Sequence, residues 1–271
     1  MTTRIAFIGG GNMARSLIGG LIRQGRSRAS IHVAEPNAAL RDALTQDFGV
    51  ITHRDNLAAA LACDIWVLAV KPQVMPQVLT QLAPAATDRA PLVVSIAAGV
   101  THHSMAAALG ERARVVRSMP NTPAMIGAGI TGLYAGADVN DEERLLVEQL
   151  LATAGATVWI ADESLMDAVT AVSGSGPAYF FLLIESLIAA GVKQGLPPDT
   201  AATLAKHTAL GAARMTLESS EPPEILRQRV TSPGGTTAAA LDTFAAGGFA
   251  ELVDRAVAAA TRRGRELAQG G

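Results

Sequence analysis

Short apolar runs alternate with helix-patterned segments through residues 1–161. The predicted strands are Ile5–Ile8, Ile31–Ala34, Ile65–Val70, Leu92–Ile96 and Val115–Val116, with weaker candidates at Gly132–Tyr134 and Thr157–Ile160. The predicted helices are Ala14–Gln24, Ala38–Phe48, His103–Ala108 and Glu142–Ala154. Continuous apolar strands separated by helices are typical of a parallel sheet that is covered on both faces. We therefore predict an α/β domain, in which right-handed crossovers place the carboxyl ends of the strands along one edge.

The pattern changes near Asp162, and residues 162–271 contain no convincing strand. Helical spacing of apolar residues is found in Ala178–Ala190, in Ala201–Leu217 and in a last helix after Gly247-Gly248. The segment Ala178–Ala190 is apolar nearly all round, which is the pattern of a helix buried on several sides. A helical domain of this size offers too little cover for such a helix. We therefore predict that residues 162–271 form an all-α domain whose apolar helix is covered by a second copy of the chain.

Composition and charge exclude several classes of protein. The chain carries 24 acidic against 22 basic side chains, so no basic surplus is present to neutralise a nucleic-acid backbone. A single cysteine, Cys63, rules out a disulfide framework, and the isolated histidines predict no metal site. The start MTTRIAFIGGGN leaves no room for a signal peptide. The apolar run Ala178–Ile184 is shorter than the roughly 20 residues of a membrane span. We expect a cytoplasmic protein without nucleic-acid or membrane partners.

A glycine turn lies between the first predicted strand and the first predicted helix. The residues Gly9-Gly10-Gly11-Asn12-Met13-Ala14 fit the pattern G-x-G-x-x-G/A of dinucleotide-binding proteins. In this pattern the first glycine permits the tight turn and the second lets the backbone approach a pyrophosphate. The amides at the helix start then bind the phosphates. The sequence therefore predicts a dinucleotide site, the alternative being a glycine turn with a structural role only.

Glu35 follows the second predicted strand, where an acidic residue accepts hydrogen bonds from the adenosine ribose. Such an acid favours NAD over NADP. Arg28 and Arg41 lie nearby in the sequence and could instead bind a 2′-phosphate, so the preference between the two cofactors stays open.

Three further segments follow predicted strands, and we expect them to line the cofactor crevice at the carboxyl edge of the sheet. They are Ala69-Val70-Lys71-Pro72, Ala97-Ala98-Gly99 and Met119-Pro120-Asn121-Thr122-Pro123. Lys71 supplies a positive charge there, and Asn121 supplies an amide that can both donate and accept hydrogen bonds.

Two segments of the helical half place hydroxyls and glycine amides before predicted helices. They are Ser173-Gly174-Ser175-Gly176-Pro177-Ala178 and Val230-Thr231-Ser232-Pro233-Gly234-Gly235-Thr236-Thr237. Helix N-termini of this composition can bind a small carboxylate. The alternative is simple N-capping by Ser and Thr. Because two such segments occur in one small domain, we favour ligand binding.

These motifs together resemble the pyrroline-5-carboxylate reductases, the enzymes of the last step of proline synthesis. The resemblance runs from IGGGNMA through LAVKPQ, SIAAGV, VVRSMPNTP and VSGSGPAYFF to VTSPGGTT. It implies an N-terminal Rossmann domain (1–161), a C-terminal helical dimerisation domain (162–271), and reduction of Δ1-pyrroline-5-carboxylate to L-proline by NADPH or NADH. The resemblance implies that the cofactor is contacted by Ile8, Gly9, Gly10, Gly11, Asn12, Met13, Ala69, Val70, Lys71 and Pro72, with Asn56 near the adenosine end. To these we add Glu35, Ala97 and Ala98, which follow predicted strands.

The substrate cradle implied by the resemblance is SPGGTT: Ser232, Gly234, Gly235, Thr236 and Thr237, to which we add Ser175. Thr237 matches the position that faces the imine nitrogen, and we expect it to be the catalytic hydroxyl. Glu35 departs from family members that have a small residue there. Two alternatives remain open. One is a β-hydroxyacid dehydrogenase, whose catalytic lysine would have to be Lys193 or Lys206, and the other is a non-catalytic dinucleotide sensor.

Overall fold

The computed structural model of the chain describes residues 3–268. These residues form two compact units: the first contains the chain through Ser175 together with the residues from Ala260 onward, and the second is Gly176–Ala259. The sequence pattern changes at Asp162 because the last strand has ended there. The first unit continues to Ser175 because the following helical residues pack on the sheet. A Cβ atom at Gly132, for example, would lie 2.5 Å from Cγ1 of Val169.

The first unit is built on one eight-stranded sheet with the order β3-β2-β1-β4-β5-β6-β7-β8. The strands are β1 (Ile5–Ile8), β2 (Ile31–Ala34), β3 (Ile51–His53), β4 (Ile65–Leu68), β5 (Leu92–Ser95), β6 (Arg114–Met119), β7 (Gly129–Ala135) and β8 (Gly155–Trp159). Neighbouring strands are parallel except β6 and β7, which are antiparallel. The predicted parallel sheet is thereby confirmed, with one antiparallel pair that the sequence pattern did not indicate. The short connection from Met119 to Gly129 cannot form a crossover, which needs about a dozen residues or more.

Helices pack on both faces of the sheet. They are α1 (Asn12–Arg23), α2 (Ala38–Phe48), α3 (Asn56–Leu61), α4 (Met75–Arg89), α5 (His102–Leu109) and α6 (Asp141–Leu151). The sequence analysis missed β3, α3 and α4. In α4 the prolines disguise the helix, because Pro76 lies in its first turn and Pro84 lies inside it. The helix forms because it buries Val78, Leu79 and Leu82 against the sheet.

Two apolar clusters, one on each face of the sheet, form the core of the first unit. Successive side chains of a strand point to opposite faces, so Phe7 belongs to one cluster and Ile8 to the other. Cys63 is fully buried in the second cluster. Burial raises the pKa of its thiol to about 12, so it remains protonated and inert at neutral pH.

The second unit is helical. It contains α8 (Gly176–Lys193), α9 (Pro198–Glu218), α10 (Pro223–Arg229), α11 (Thr236–Ala246) and the first part of α12 (Phe249–Ala268), whereas the short α7 (Met166–Val169) and the residues of α12 from Ala260 belong to the first unit. Large apolar side chains of α8 lie exposed, among them Phe180, Phe181 and Leu182. A single chain therefore does not supply the cover that the pattern of Ala178–Ala190 calls for.

The apolar helical segment is longer than the sequence analysis predicts. Helical turns run over 31 residues, from Glu163 to Lys193, and continue through Glu185 and Ser186; an 18-residue window within them has a mean hydropathy of 1.5. By length and composition alone this segment could cross a membrane, and the expectation that it is too short is wrong.

Candidate active site

The carboxyl ends of β1, β2, β4 and β5 meet at one edge of the sheet, as the sequence predicts. Backbone hydrogen bonds join them there. Gly9 N donates to Ala34 O at 2.9 Å, Ala69 N to Ile8 O at 2.8 Å, and Ile96 N to Leu68 O at 3.1 Å. The glycine turn, Glu35, the segment Ala69-Val70-Lys71-Pro72 and the pair Ala97-Ala98 are thereby brought together.

The three glycines of the turn serve different purposes. Gly9 has φ +102°, and a Cβ atom there would lie 2.6 Å from the carbonyl oxygen of Ala69. A Cβ at Gly10 would lie 2.6 Å from Cδ1 of Leu44. Gly11 caps α1 without a side-chain hydrogen bond, and no atom lies within 4 Å of its Cβ position. The result is open space in front of the free amides of a helix N-terminus, which fits a pyrophosphate.

The other residues around the turn differ in what they can offer a ligand. Asn12 is exposed and Met13 is half-buried against the core. Ile8 and Ala97 are buried, so only their backbone atoms are available at the edge. Lys71 and Pro72 are exposed. Within residues 3–268 Lys71 has no ion-pair partner, which leaves its ammonium free for an anionic ligand.

Glu35 accepts two backbone hydrogen bonds. Its Oε2 atom accepts from Gly10 N at 3.1 Å, and its Oε1 atom accepts from Asn37 N at 3.0 Å. Arg41 lies beside it and donates from Nη1 to the carbonyl oxygens of Glu35 and Pro36, both at 2.8 Å. Arg28 lies before β2 against Gly49, at the other end of the strand from Glu35. Of the two arginines, Arg41 therefore lies beside Glu35 and Arg28 does not.

Asn56 begins α3, beyond the end of edge strand β3. Its side chain is half-buried, and Nδ2 donates to Oε1 of Gln81 on α4 at 2.9 Å. Because an amide NH2 carries two N–H donors, an adenosine can still contact the second N–H or the oxygen of this amide while the bond to Gln81 stays intact.

A polar cluster that the sequence analysis did not single out lies next to this edge, around β6. Arg117 is buried and pairs with Glu163 and Asp167. Past the end of β6, Asn121 donates from Nδ2 to Ser173 O at 3.3 Å and accepts from Ile130 N at 3.0 Å. Ser173 belongs to a π-helical turn, Thr170–Gly174, a type of turn often found at functional sites. The feature of the sequence that could have indicated this cluster is the arginine, Arg117, within the apolar strand VVRSM.

The loop Ser232–Gly235 of the second unit forms a tight turn before α11. Gly235 N donates to Ser232 O at 3.0 Å, and Gly234 has φ +69°. The N-cap of α11 is Gly235, and no side chain caps the helix. Within the described residues, the hydroxyls of Ser232, Thr236 and Thr237 make no hydrogen bond. Simple N-capping is therefore wrong as an explanation of these hydroxyls.

Ser175 lies at the end of the π-helical turn in the first unit, and its amide donates to Thr170 O at 2.8 Å. It is half-buried. Over residues 3–268, no three His, Cys, Asp or Glu side chains are grouped as metal ligands would be.

Comparison with known families agrees with this geometry. Residues 4–99 match the model described as NADP oxidoreductase coenzyme F420-dependent. Residues 163–267 match that of pyrroline-5-carboxylate reductase dimerisation. The sheet, the glycine turn and these matches define an NAD(P)-dependent oxidoreductase with a helical dimerisation domain. A Pseudomonas aeruginosa protein named pyrroline-5-carboxylate reductase is 50% identical to the chain, over 99% of this chain and 98% of its own length. The chain belongs to the pyrroline-5-carboxylate reductase family.

Solved structures show the same relationship. A pyrroline-5-carboxylate reductase from Coxiella burnetii superposes with a TM-score of 0.94 at 42% identity, over 98% of this chain and 99% of that chain. A Plasmodium falciparum pyrroline carboxylate reductase with NADP bound superposes with a TM-score of 0.86 at 30% identity, over 98% of both chains. Membership of this family excludes the two alternative interpretations of the sequence, a β-hydroxyacid dehydrogenase and a non-catalytic dinucleotide sensor.

Proposed function

We propose that this chain reduces Δ1-pyrroline-5-carboxylate to L-proline, with NADPH as hydride donor and NADH as an alternative. The family supports the reaction, and the NADP in the Plasmodium falciparum relative supports the donor. The observation that carries the proposal is the set of unengaged hydroxyls of Ser232, Thr236 and Thr237 at the start of α11. A polar cradle of this kind suits a small cyclic carboxylate.

In this proposal the dinucleotide lies along the carboxyl edge of the sheet. Its pyrophosphate rests on the turn Gly9-Gly10-Gly11 and the start of α1 at Asn12 and Met13. Its adenosine lies toward Glu35 and Asn56, and its remaining contacts are with Ile8, Ala69, Val70, Lys71, Pro72, Ala97 and Ala98. The open space at Gly11 leaves room for the pyrophosphate, and the free ammonium of Lys71 complements its negative charge. When bound, the cofactor supplies the hydride.

The substrate cradle supplies orientation and polarity. We place the substrate carboxylate on the backbone amides around Gly234 and Gly235, with Ser232 and Thr236 as further hydrogen-bonding groups. Ser175, in the first unit, is a further proposed substrate residue. The hydroxyl of Thr237 holds the imine nitrogen and relays a proton to it from water. Because an imine is protonated more readily than a ketone, a hydroxyl is sufficient and no histidine–carboxylate pair is required.

Assembly and location complete the proposal. The chain carries a dimerisation domain, and we propose a homodimer or a higher homo-oligomer in which the exposed apolar side chains of α8 are buried between copies. The apolar segment Glu163–Lys193 lies within the residues that match the dimerisation model. We therefore propose that it takes part in the dimer and does not cross a membrane. We also propose a cytoplasmic location and no nucleic-acid partner.

The test is a spectrophotometric assay of NADPH and NADH oxidation with pyrroline-5-carboxylate. We expect substrate-dependent oxidation of NADPH, together with proline in the product. Oxidation with a 2-hydroxy or 2-oxo acid in place of the imine would point instead to another dehydrogenase. Cofactor binding without turnover of any of these substrates would point to a sensor.

A further inference from the structure

A buried arginine on β6 links two carboxylates that lie just beyond the last strand of the sheet. Arg117 is only 4% exposed. Its Nη1 atom lies 3.0 Å from Oε1 of Glu163, and its Nη2 atom lies 3.6 Å from Oδ1 of Asp167. Buried ion pairs contribute little net stability, because the loss of hydration offsets their attraction. The cluster therefore calls for an explanation other than stability.

Glu163 also holds the segment that follows β5. The same Oε1 atom accepts a hydrogen bond from the backbone N–H of His102 at 2.5 Å. His102 is the first residue of α5, and the loop before it contains Ala97 and Ala98. One carboxylate oxygen thus fixes both the guanidinium of Arg117 and the helix start that anchors this cofactor loop.

Asp167 extends the cluster to the π-helical turn. It lies just before Thr170–Gly174, and β6 contacts that turn at two further places. A Cβ atom at Gly174 would lie 2.4 Å from Cε of Met119, so these two residues pack closely. Asn121 donates to the carbonyl oxygen of Ser173. Strand β6 and the residues just after it therefore hold the segment Glu163–Ser175 at three places: at Arg117 and Met119 of the strand and at Asn121 beyond its end.

We infer that Arg117 and Glu163 are positioning residues, which fix the loop Ala97–Gly99 and the turn Ser173–Ser175 relative to the carboxyl end of β6. This inference rests on the proposed function, because these two segments are the ones assigned to cofactor and substrate. Because a guanidinium can bind two carboxylates at fixed angles, Arg117 holds both Glu163 and Asp167 in defined positions.

Strand β6 offers a matched control in Arg114. This arginine also pairs with a glutamate, Glu143, and donates to Ala90 O at 2.6 Å, but it begins the strand at the opposite edge of the sheet. We compare Arg117→Met with Arg114→Met. Misplaced groups can cost about a hundredfold in rate. We expect Arg117→Met to lower kcat for pyrroline-5-carboxylate by about ten- to a hundredfold, and Arg114→Met to change it less than about twofold.

A second pair of variants covers the case in which Arg117→Met fails to fold. Glu163→Ala leaves Arg117 paired with Asp167 and removes the oxygen that accepts from both Arg117 and His102 N. Glu163→Gln restores an acceptor of the same length. We expect Glu163→Ala to weaken NADPH binding about tenfold in a fluorescence titration, and Glu163→Gln to recover most of the affinity. We also expect faster amide hydrogen exchange at His102 in the full-length Glu163→Ala protein without cofactor.

Two outcomes separate the inference from the proposed function. If the wild-type chain does not reduce the imine, the proposed function fails, whereas the NADPH titration and the exchange rate still test the positioning role. If Glu163→Ala and Glu163→Gln bind NADPH like the wild type, and any Arg117→Met that folds turns over like Arg114→Met, the cluster is purely structural and the inference is overturned.

Discussion

The carboxylate of Glu35 accepts a hydrogen bond from the backbone N–H of Gly10, 3.1 Å away, and so ties the end of β2 to the glycine turn of β1. Its other oxygen accepts from Asn37 N. Each carboxylate oxygen has a second lone pair, so Glu35 can still accept a hydrogen bond from a ribose hydroxyl. Glu35 therefore places a negative charge beside the glycine turn, where we propose that the adenosine lies.

Replacing Glu35 by Ser should raise kcat/KM for NADPH relative to NADH. A carboxylate repels a nearby 2′-phosphate, and two such charges interact by a few kcal/mol at most near a surface, so we expect a change of about tenfold or more. Glu35→Gln is the control that keeps an acceptor for Gly10 N and removes the charge. Steady-state kinetics with both cofactors measures the ratio. Equal ratios in all three proteins would show that Glu35 is remote from the 2′ position.

Thr237→Ala should lower kcat more than it raises KM, because a hydrogen bond to the imine nitrogen strengthens as the reaction proceeds. One such bond is worth about 1–3 kcal/mol, which predicts a loss of roughly ten- to a hundredfold. Thr237→Ser should retain most of the activity. Thr243→Ala is the control on the same helix, since this hydroxyl donates only to Ala239 O at 2.9 Å. If Thr237→Ala and Thr243→Ala have the same kcat, the proton reaches the imine by another route.

Phe181→Glu should dissociate the oligomer. The Phe181 side chain is 62% exposed on α8, and a charge there would have to be buried between copies of the chain. Leu61→Glu is the matched control, because Leu61 is 45% exposed but lies on α3 of the first unit. Analytical ultracentrifugation at a fixed concentration should show a smaller species for Phe181→Glu only. An unchanged sedimentation coefficient would place the interface elsewhere.

Acid should destabilise the first unit through the pair His32 and His53. Nδ1 of His32 lies 2.9 Å from Nε2 of His53, on the adjacent strands β2 and β3. Burial lowers the pKa of both side chains, and their mutual repulsion lowers that of His32 further, whereas Asp55 partly offsets the shift at His53. Below the ordinary pKa of 6.5 the unfolded chain therefore binds more protons than the folded one.

The resulting pH dependence has a definite sign. The free energy of unfolding keeps this contribution above about pH 6.5 and loses it as the pH falls below that value. His32→Gln should reduce the decrease in Tm between about pH 6.5 and pH 5, when each variant is compared with its own value at neutral pH. His207→Gln, which removes an exposed histidine of α9, should leave the decrease unchanged. A wild-type Tm that is constant over this range would contradict the prediction.

Local sequence patterns were sufficient for the parts of the fold that repeat simple rules. The run Ile5–Ile8 is apolar throughout, and the run Leu92–Ile96 is apolar apart from Ser95, because both lie buried between two layers of helices. The patterns were insufficient where packing overrides local preference. Helix α4 contains Pro84 and still forms, because its apolar side chains are buried in the core. The edge strand β3 is too short and too polar to be distinguished from a loop.

The sequence by itself determined the α/β order of the first unit, the glycine turn at the carboxyl edge and the helical character of the rest, because each depends on residues close together in the chain. Only the tertiary structure decided that β7 runs antiparallel to β6 and that Gly235, not a hydroxyl, caps α11. It also decided that Arg117 forms ion pairs with Glu163 and Asp167. These features depend on contacts between residues far apart in sequence, or on which of several neighbouring residues caps the helix. Local periodicity carries no information about either.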